Sequence, residues 1–201
     1  MRVNYGGKGL KILDFDIECR PLSYLGQDFT TAEVTAIACA WIVNGKPRDL
    51  QCWLLGEVEP WDILESFRAR YDQADIVTGH YIRGFDLPVL NGSMLDNDLP
   101  PLASKLAHDT KNDLKKRKYI SASQENLAAT LGVHAPKVRM NTPMWRDANR
   151  LTPEGLALTR KRVVGDVRQH IQLRERLLAM GWLGKPKVWQ SSGALTGAYT
   201  P

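Results

Sequence analysis

Residues 34–43 narrow the possible folds most: ten consecutive residues without a charge, rich in Val, Ile, Ala and Trp. Such residues favour a long strand, and Asn44-Gly45 directly after supplies a hairpin turn. Residues 49–55 can return as the antiparallel neighbour. Upstream, residues 11–18 read as a strand that begins apolar and ends in acids. Glu59-Pro60 then opens a helix over residues 61–71, with Ile63, Leu64 and Phe67 on one face.

The second half alternates. Residues 74–79 form a short buried strand, and residues 86–95 a helix that tolerates Pro88 in its first turn. Residues 102–109 hold another short strand, and residues 121–131 a helix in which Ser121 or Ser123 precedes Gln124 and Glu125 in a capping pattern. A long helix follows, with Thr152 as N-cap, Pro153 at its first position and Gly181 as its stop. Val164, Val167, Ile171 and Leu178 form its apolar stripe. This order implies a mixed α/β sheet covered by helices on both faces. The expected organisation is one domain over residues 1–180 and a C-terminal tail over 181–201.

Composition removes several classes. At 43% hydrophobic and 24% charged the chain is ordinary for a globular protein. No apolar run approaches the roughly 20 residues of a membrane span, and the first residues lack a signal-peptide core. Cys19, Cys39 and Cys52 are odd in number and lack ligand spacing, so reduced thiols and a cytoplasmic setting are expected rather than a zinc site.

The net charge of +5 is unevenly spread. Residues 1–100 carry 9 Lys and Arg against 15 Asp and Glu, whereas residues 101–201 carry 18 against 7. A basic half suits a polyanionic partner, because neutralised phosphates release counterions.

Four acids stand out by position. Asp16 and Glu18 lie two apart in one strand, so they share a face at its carboxyl end, where open α/β sheets place ligands. Asp86 follows an apolar strand at the mouth of the next helix, and Asp166 sits inside the long helix beside Val164 and Val167. Carboxylates gathered on a buried edge repel one another, and hard cations such as Mg²⁺ or Mn²⁺ relieve that conflict. Two such ions can stabilise both the attacking and the leaving oxygen of a phosphodiester. Taken singly each acid has a plainer role: an exposed pair, an N-cap at Asp86, or an ion pair of Asp166 with Arg162 or His170 one turn away.

In order, these segments resemble the DEDD 3′→5′ exonucleases, a superfamily that includes the proofreading domains of DNA polymerases. The first motif is matched by Ile12-Leu13-Asp14-Phe15-Asp16-Ile17-Glu18, and the second by the phrase from Ala74 to Pro88 that contains Gly84-Phe85-Asp86. His108-Asp109-Thr110 and Ser123-Gln124-Glu125-Asn126-Leu127-Ala128 look like two further family segments, and Asp166-Val167 matches the third motif. The resemblance covers about residues 10–180. It implies a ribonuclease H-like mixed five-stranded sheet, two Mg²⁺ or Mn²⁺ ions held by Asp16, Glu18, Asp86 and Asp166, and hydrolysis of terminal phosphodiesters to nucleoside monophosphates. It further implies a single-stranded DNA or RNA 3′ end as partner and a separate DNA polymerase as a companion; the size of the chain suits a bacterial or bacteriophage setting.

Two departures bear on mechanism. The family's last catalytic residue is a His five before the final Asp or a Tyr four before it; here those positions are Lys161 and Arg162. Arg162 stays protonated, so it is expected to bind phosphate or steady charge rather than take a proton. His170, one turn after Asp166, is the candidate substitute base. Tyr81 stands where the family commonly has Asn, and an aromatic there can stack on a terminal base. Phe85 is a further candidate for nucleic-acid contact. Lys111, Lys115, Lys116, Arg117, Lys118, Arg160 and Lys161 are the candidate phosphate contacts. The competing readings are an RNA exonuclease, a catalytically silent nucleic-acid-binding protein and an endonuclease of the ribonuclease H type.

Overall fold

The uncharged run folds as the hairpin it predicts. Strand β2 (Ala32–Val43) turns through Asn44 and Gly45 into β3 (Lys46–Leu54). Both turn residues take positive φ, 52° and 70°, as a two-residue type I′ turn requires. The computed structural model describes residues 9–22, 32–114, 119–133 and 138–191.

Strand β1 (Ile12–Pro21) lies antiparallel to β2 on one side and parallel to β4 (Ile76–Gly79) on the other. β4 pairs in parallel with β5 (Lys105–Asp109), giving a mixed sheet with β1 near its middle. One face is covered by α1 (Pro60–Gln73) and α2 (Asp86–Asp96), whose Phe67, Tyr71, Leu87 and Leu90 join Leu13, Phe15, Ile37 and Cys39 in the main core. The other face carries α6 (Pro153–Ala179), 27 residues long. Its Val163, Val167 and Ile171 rest on Ala36, Ala38 and Ala40 of β2. Alternate residues of a strand share a face, and three alanines on this one let the helix backbone come close to the sheet. The result is the ribonuclease H-like arrangement, with helices on both faces.

Local signals behave as expected at the helix starts. Ser123 rather than Ser121 caps α4 (Gln124–Thr130), accepting from the Asn126 N–H at 3.3 Å. Thr152 caps α6 through the Gly155 N–H at 3.1 Å. Gly181, with φ of 75°, follows the end of α6 as a C-terminal stop does. No described helix is long and apolar enough to cross a membrane.

Three features depart from the sequence reading. The sheet has six strands rather than five, because residues 187–189 form β6 (Lys187–Trp189), antiparallel to β5. The segment after Gly181 is therefore no mere tail over those residues, and Trp189 enters the main core while Trp182 stays 42% exposed. A three-residue strand is too short for periodicity to reveal, and its partner decides it. Two helices were also unforeseen: α3 (Thr110–Leu114) and α5 (Thr142–Asn149). The latter had a readable signal in Asn141-Thr142-Pro143, since the Asn141 side chain accepts from the Met144 N–H at 3.0 Å.

Replacing Trp189 with Ala should lower stability by about 3 kcal/mol in chemical denaturation, the usual cost of deleting a buried Trp. A change below about 0.5 kcal/mol is what a solvent-exposed position would give.

Candidate metal centre

The site arises where β1 crosses α6. Asp14, Asp16 and Glu18 point from β1 toward α6, and they meet His170, Asp166 and Arg162 in turn. Asp14 Oδ2 lies 2.6 Å from His170 Nδ1. Asp16, Glu18 and Asp166 bring carboxylate oxygens within 4.8 Å of one another. Glu18 forms an ion pair with Arg162 Nε. Two strand residues advance about 6.6 Å and four helix residues about 6 Å, so the two spacings stay in step. The outer pairs join hydrogen-bonding partners, while the middle pair sets Asp16 against Asp166, two carboxylates. Three hard oxygen donors with two facing carboxylates among them fit a divalent cation such as Mg²⁺ or Mn²⁺.

Asp86 enters from the other side. β4 pairs with β1 only from Ile12 to Asp14 and then turns away after Gly79, leaving the next stretch of β1 uncovered on that edge. A Cβ on Gly79 would stand 2.7 Å from the Phe15 carbonyl oxygen and 2.3 Å from Ile82 Cγ2, so glycine permits this departure. At the start of α2, Asp86 Oδ1 accepts from the Ile17 N–H at 3.3 Å. Burial drives its carboxyl pKa up; two backbone N–H bonds oppose this, and the charges of Asp109 and Glu18 add to it, leaving it at about 7. The carboxylate faces the cleft without joining the tight trio.

That cleft, about 390 Å³, is lined by Asp16, Glu18, Asp86 and Asp166 together with His80, Tyr81, Phe85, Lys111, Gln124 and Arg162. The four acids singled out in the sequence are thus brought together. Tyr81 and Phe85 also line this cleft. Tyr81 has φ of 76°, a region that Asn visits more readily than an aromatic residue. Its ring is held by Lys111, whose Nζ lies 3.9 Å from the centroid, and it covers Gly84, where a Cβ would stand 2.3 Å from a ring carbon.

The turn carrying these residues hangs on Asp109. Its buried carboxylate accepts N–H bonds from Tyr81 at 3.0 Å and Arg83 at 2.9 Å, and from the Asn112 backbone at 2.9 Å and side chain at 2.8 Å.

His170 is not where a base would be. It is 2% exposed, with Nδ1 against Asp14 and Nε2 3.0 Å from Thr110 Oγ1, so both ring nitrogens are engaged inside the core. The chain of contacts continues from Thr110 to His80 Nδ1 at 2.9 Å, and it is His80 that reaches the cleft wall. Burial raises the Asp14 carboxyl, with the His170 contact opposing it. Sequence reasoning passed over His80 and Gln124 as site residues, although each stands at the point where its element meets the cleft.

The basic candidates divide. Arg162 and Lys111 line the cleft. Arg160 turns toward β3, bonding the Cys52 carbonyl at 3.3 Å and pairing with Glu57, and exposed Lys161 is not among the cleft residues. One turn of a helix separates three consecutive residues by about 100° each, which is why the cluster Arg160–Arg162 cannot face one site. Lys115, Lys116, Arg117 and Lys118 lie outside the described residues.

No known family model and no curated protein matches the sequence. Among solved structures, the family B DNA polymerase from the hyperthermophilic archaeon Pyrobaculum calidifontis superposes with a TM-score of 0.66 at 18% identity. The match covers 84% of this chain and 24% of the polymerase chain. At that identity the likeness is one of fold, and this chain spans about a quarter of the polymerase's length.

The raised Asp86 carboxyl sets a pH dependence in metal-free protein. The native state keeps this proton above the pH where the unfolded chain loses it, so stability should fall as pH rises from about 4 to about 7. In EDTA, Asp86→Asn should flatten that fall and be more stable than wild type at pH 8, by on the order of 2–4 kcal/mol. Parallel stability curves for the two proteins would show that Asp86 is ordinarily ionised. Asp109→Asn turns an amide toward N–H donors and should cost about 2–3 kcal/mol in denaturant titrations.

Proposed function

We propose that this chain is a divalent-metal-dependent 3′→5′ exonuclease acting on single-stranded DNA or frayed 3′ ends. The observation that carries this reading is the convergence of Asp16, Glu18 and Asp166 at the crossing of β1 and α6, with Asp86 in the same cleft. These are the four acids that the DEDD resemblance picks out, in the same order and on the same kinds of element. The fold likeness to part of a DNA polymerase supports it, since the superfamily includes polymerase proofreading domains.

The roles follow from placement. Asp16, Glu18 and Asp166 would hold the cation, with Asp86 completing the donor set. Bound there, two Mg²⁺ or Mn²⁺ ions would supply the charge that activates a water and stabilises the leaving oxygen. Lys111 and Arg162 offer cations to backbone phosphates, which position a strand without reading its sequence. Phe85, 42% exposed at the cleft, and Tyr81 offer ring faces to terminal bases. Sequence-tolerant contacts of this kind suit an enzyme that removes nucleotides one after another. Service to a separate polymerase, by proofreading or by trimming ends, is the corresponding biological role.

The test is degradation of a 5′-labelled single-stranded DNA oligonucleotide with Mg²⁺, with Mn²⁺ and with EDTA, alongside RNA of the same sequence. A metal-dependent ladder shortening from the 3′ end is expected, reduced at least about 100-fold by Asp16→Asn. Preferential shortening of the RNA would assign the enzyme to RNA instead. Binding of either strand without cleavage under any metal would make the chain a nucleic-acid-binding protein.

A further inference from the structure

Arg162 stands where the DEDD resemblance expects a proton-accepting Tyr, and its contacts give it a different task. Its Nε pairs with Glu18, and Nη2 lies 3.9 Å from Asp166 Oδ2. Burial works against its charge, but the carboxylates of Glu18, Asp166 and Asp16 outweigh that and keep the guanidinium protonated. One internal cation therefore contacts two members of the acidic trio, Glu18 and Asp166.

The guanidinium is also held from behind. Nη1 donates to the Val138 carbonyl at 3.0 Å, and the group stacks over the Trp145 ring with its Cζ 5.1 Å from the centroid. Trp145 belongs to α5, which is pressed against the start of α6: a Cβ on Gly155 would stand 2.2 Å from the Asp147 carbonyl oxygen. The position of Arg162 over the acids is thus built by packing and is not a loose surface contact.

We infer that Arg162 is an internal competitor for the metal, occupying Glu18 until a divalent cation displaces it. This rests on the reading of the trio as a cation site. The guanidinium draws on the charge of the Glu18 carboxylate that an ion would use, and two cations among three carboxylates repel. The protein itself supplies part of the positive charge that the resting site needs. Metal affinity is set by the difference between the ion's pull on Glu18 and that of Arg162, so removing the guanidinium tightens metal binding.

The test measures Mn²⁺ binding to the full chain by electron paramagnetic resonance of the free ion, with no nucleic acid present. Wild type, Arg162→Gln, Arg162→Lys and Asp16→Asn are compared, each shown to be folded by its melting curve. Arg162→Gln should bind Mn²⁺ about 10-fold more tightly than wild type, within the usual range for coupled sites. Arg162→Lys, which keeps the charge but loses the fork, should fall between them. Affinity in Arg162→Gln equal to or weaker than wild type overturns the competition while leaving the metal site intact. Absence of binding in all four proteins at millimolar Mn²⁺ overturns the metal site, and the competition with it. An independent reading needs no variant beyond the one that assigns the signal. The ¹⁵Nε–H resonance of Arg162 should shift during a Mg²⁺ titration with the midpoint of binding; a resonance unmoved while Mg²⁺ binds also overturns the inference.

Discussion

The structure depends on a coincidence of two repeat distances. A strand repeats its facing residue every second position and a helix every fourth, and the two advances differ by only about 0.6 Å. Laid across each other, β1 and α6 therefore keep three pairs in register: Asp14 with His170, Asp16 with Asp166, Glu18 with Arg162. The pair deepest in the core is a hydrogen bond between Asp14 and His170. The pair nearest the cleft mouth is neutralised by an arginine. Between them Asp16 faces Asp166, whose Oδ2 lies 3.9 Å from Arg162 Nη2, and there the acids converge. The alanine face of β2 makes this possible, because larger side chains at residues 36, 38 and 40 would lift α6 away from the sheet.

A second constraint places Asp86. Parallel strands need not end together, and β4 leaves β1 early, so the backbone of Ile17 is free to donate to a side chain instead of a strand. The turn that follows holds Tyr81 in a left-handed conformation, an arrangement costing on the order of 1 kcal/mol that persists because Asp109 accepts four N–H groups around it. Strain at the cleft is offset by hydrogen bonds behind it. The same region carries the raised carboxyl of Asp86, so the lip of the cleft combines backbone strain with electrostatic frustration, as binding sites commonly do.

His170 and Arg162 show how far the reading of a helix can mislead. Both lie one turn from Asp166, and helical spacing alone makes them equivalent neighbours of it. They differ because α6 crosses β1 in a definite direction: toward its C-terminus the helix runs over the buried start of the strand, and toward its N-terminus over the strand's open end. His170 accordingly meets Asp14 and becomes part of the core, while Arg162 meets Glu18 at the cleft. A lone β6, three residues long, is a similar case: nothing in Lys187-Val188-Trp189 announces a strand until β5 offers an edge for it.

The sequence by itself determined the longer local elements and singled out the four acids. Strand periodicity put Asp16 and Glu18 on one face, turn and cap residues marked where β2, α4 and α6 begin or end, and an acid at the carboxyl end of a strand is expensive enough to bury that it signals a purpose. Only the tertiary structure decided which residues those acids meet. Whether Arg160, Arg162 or His170 reaches the cleft depends on the rotation and direction of α6 over the sheet, and whether residues 187–189 join the sheet depends on a vacant edge. Those are set by packing between segments 80 or more residues apart in the chain, which no local pattern encodes.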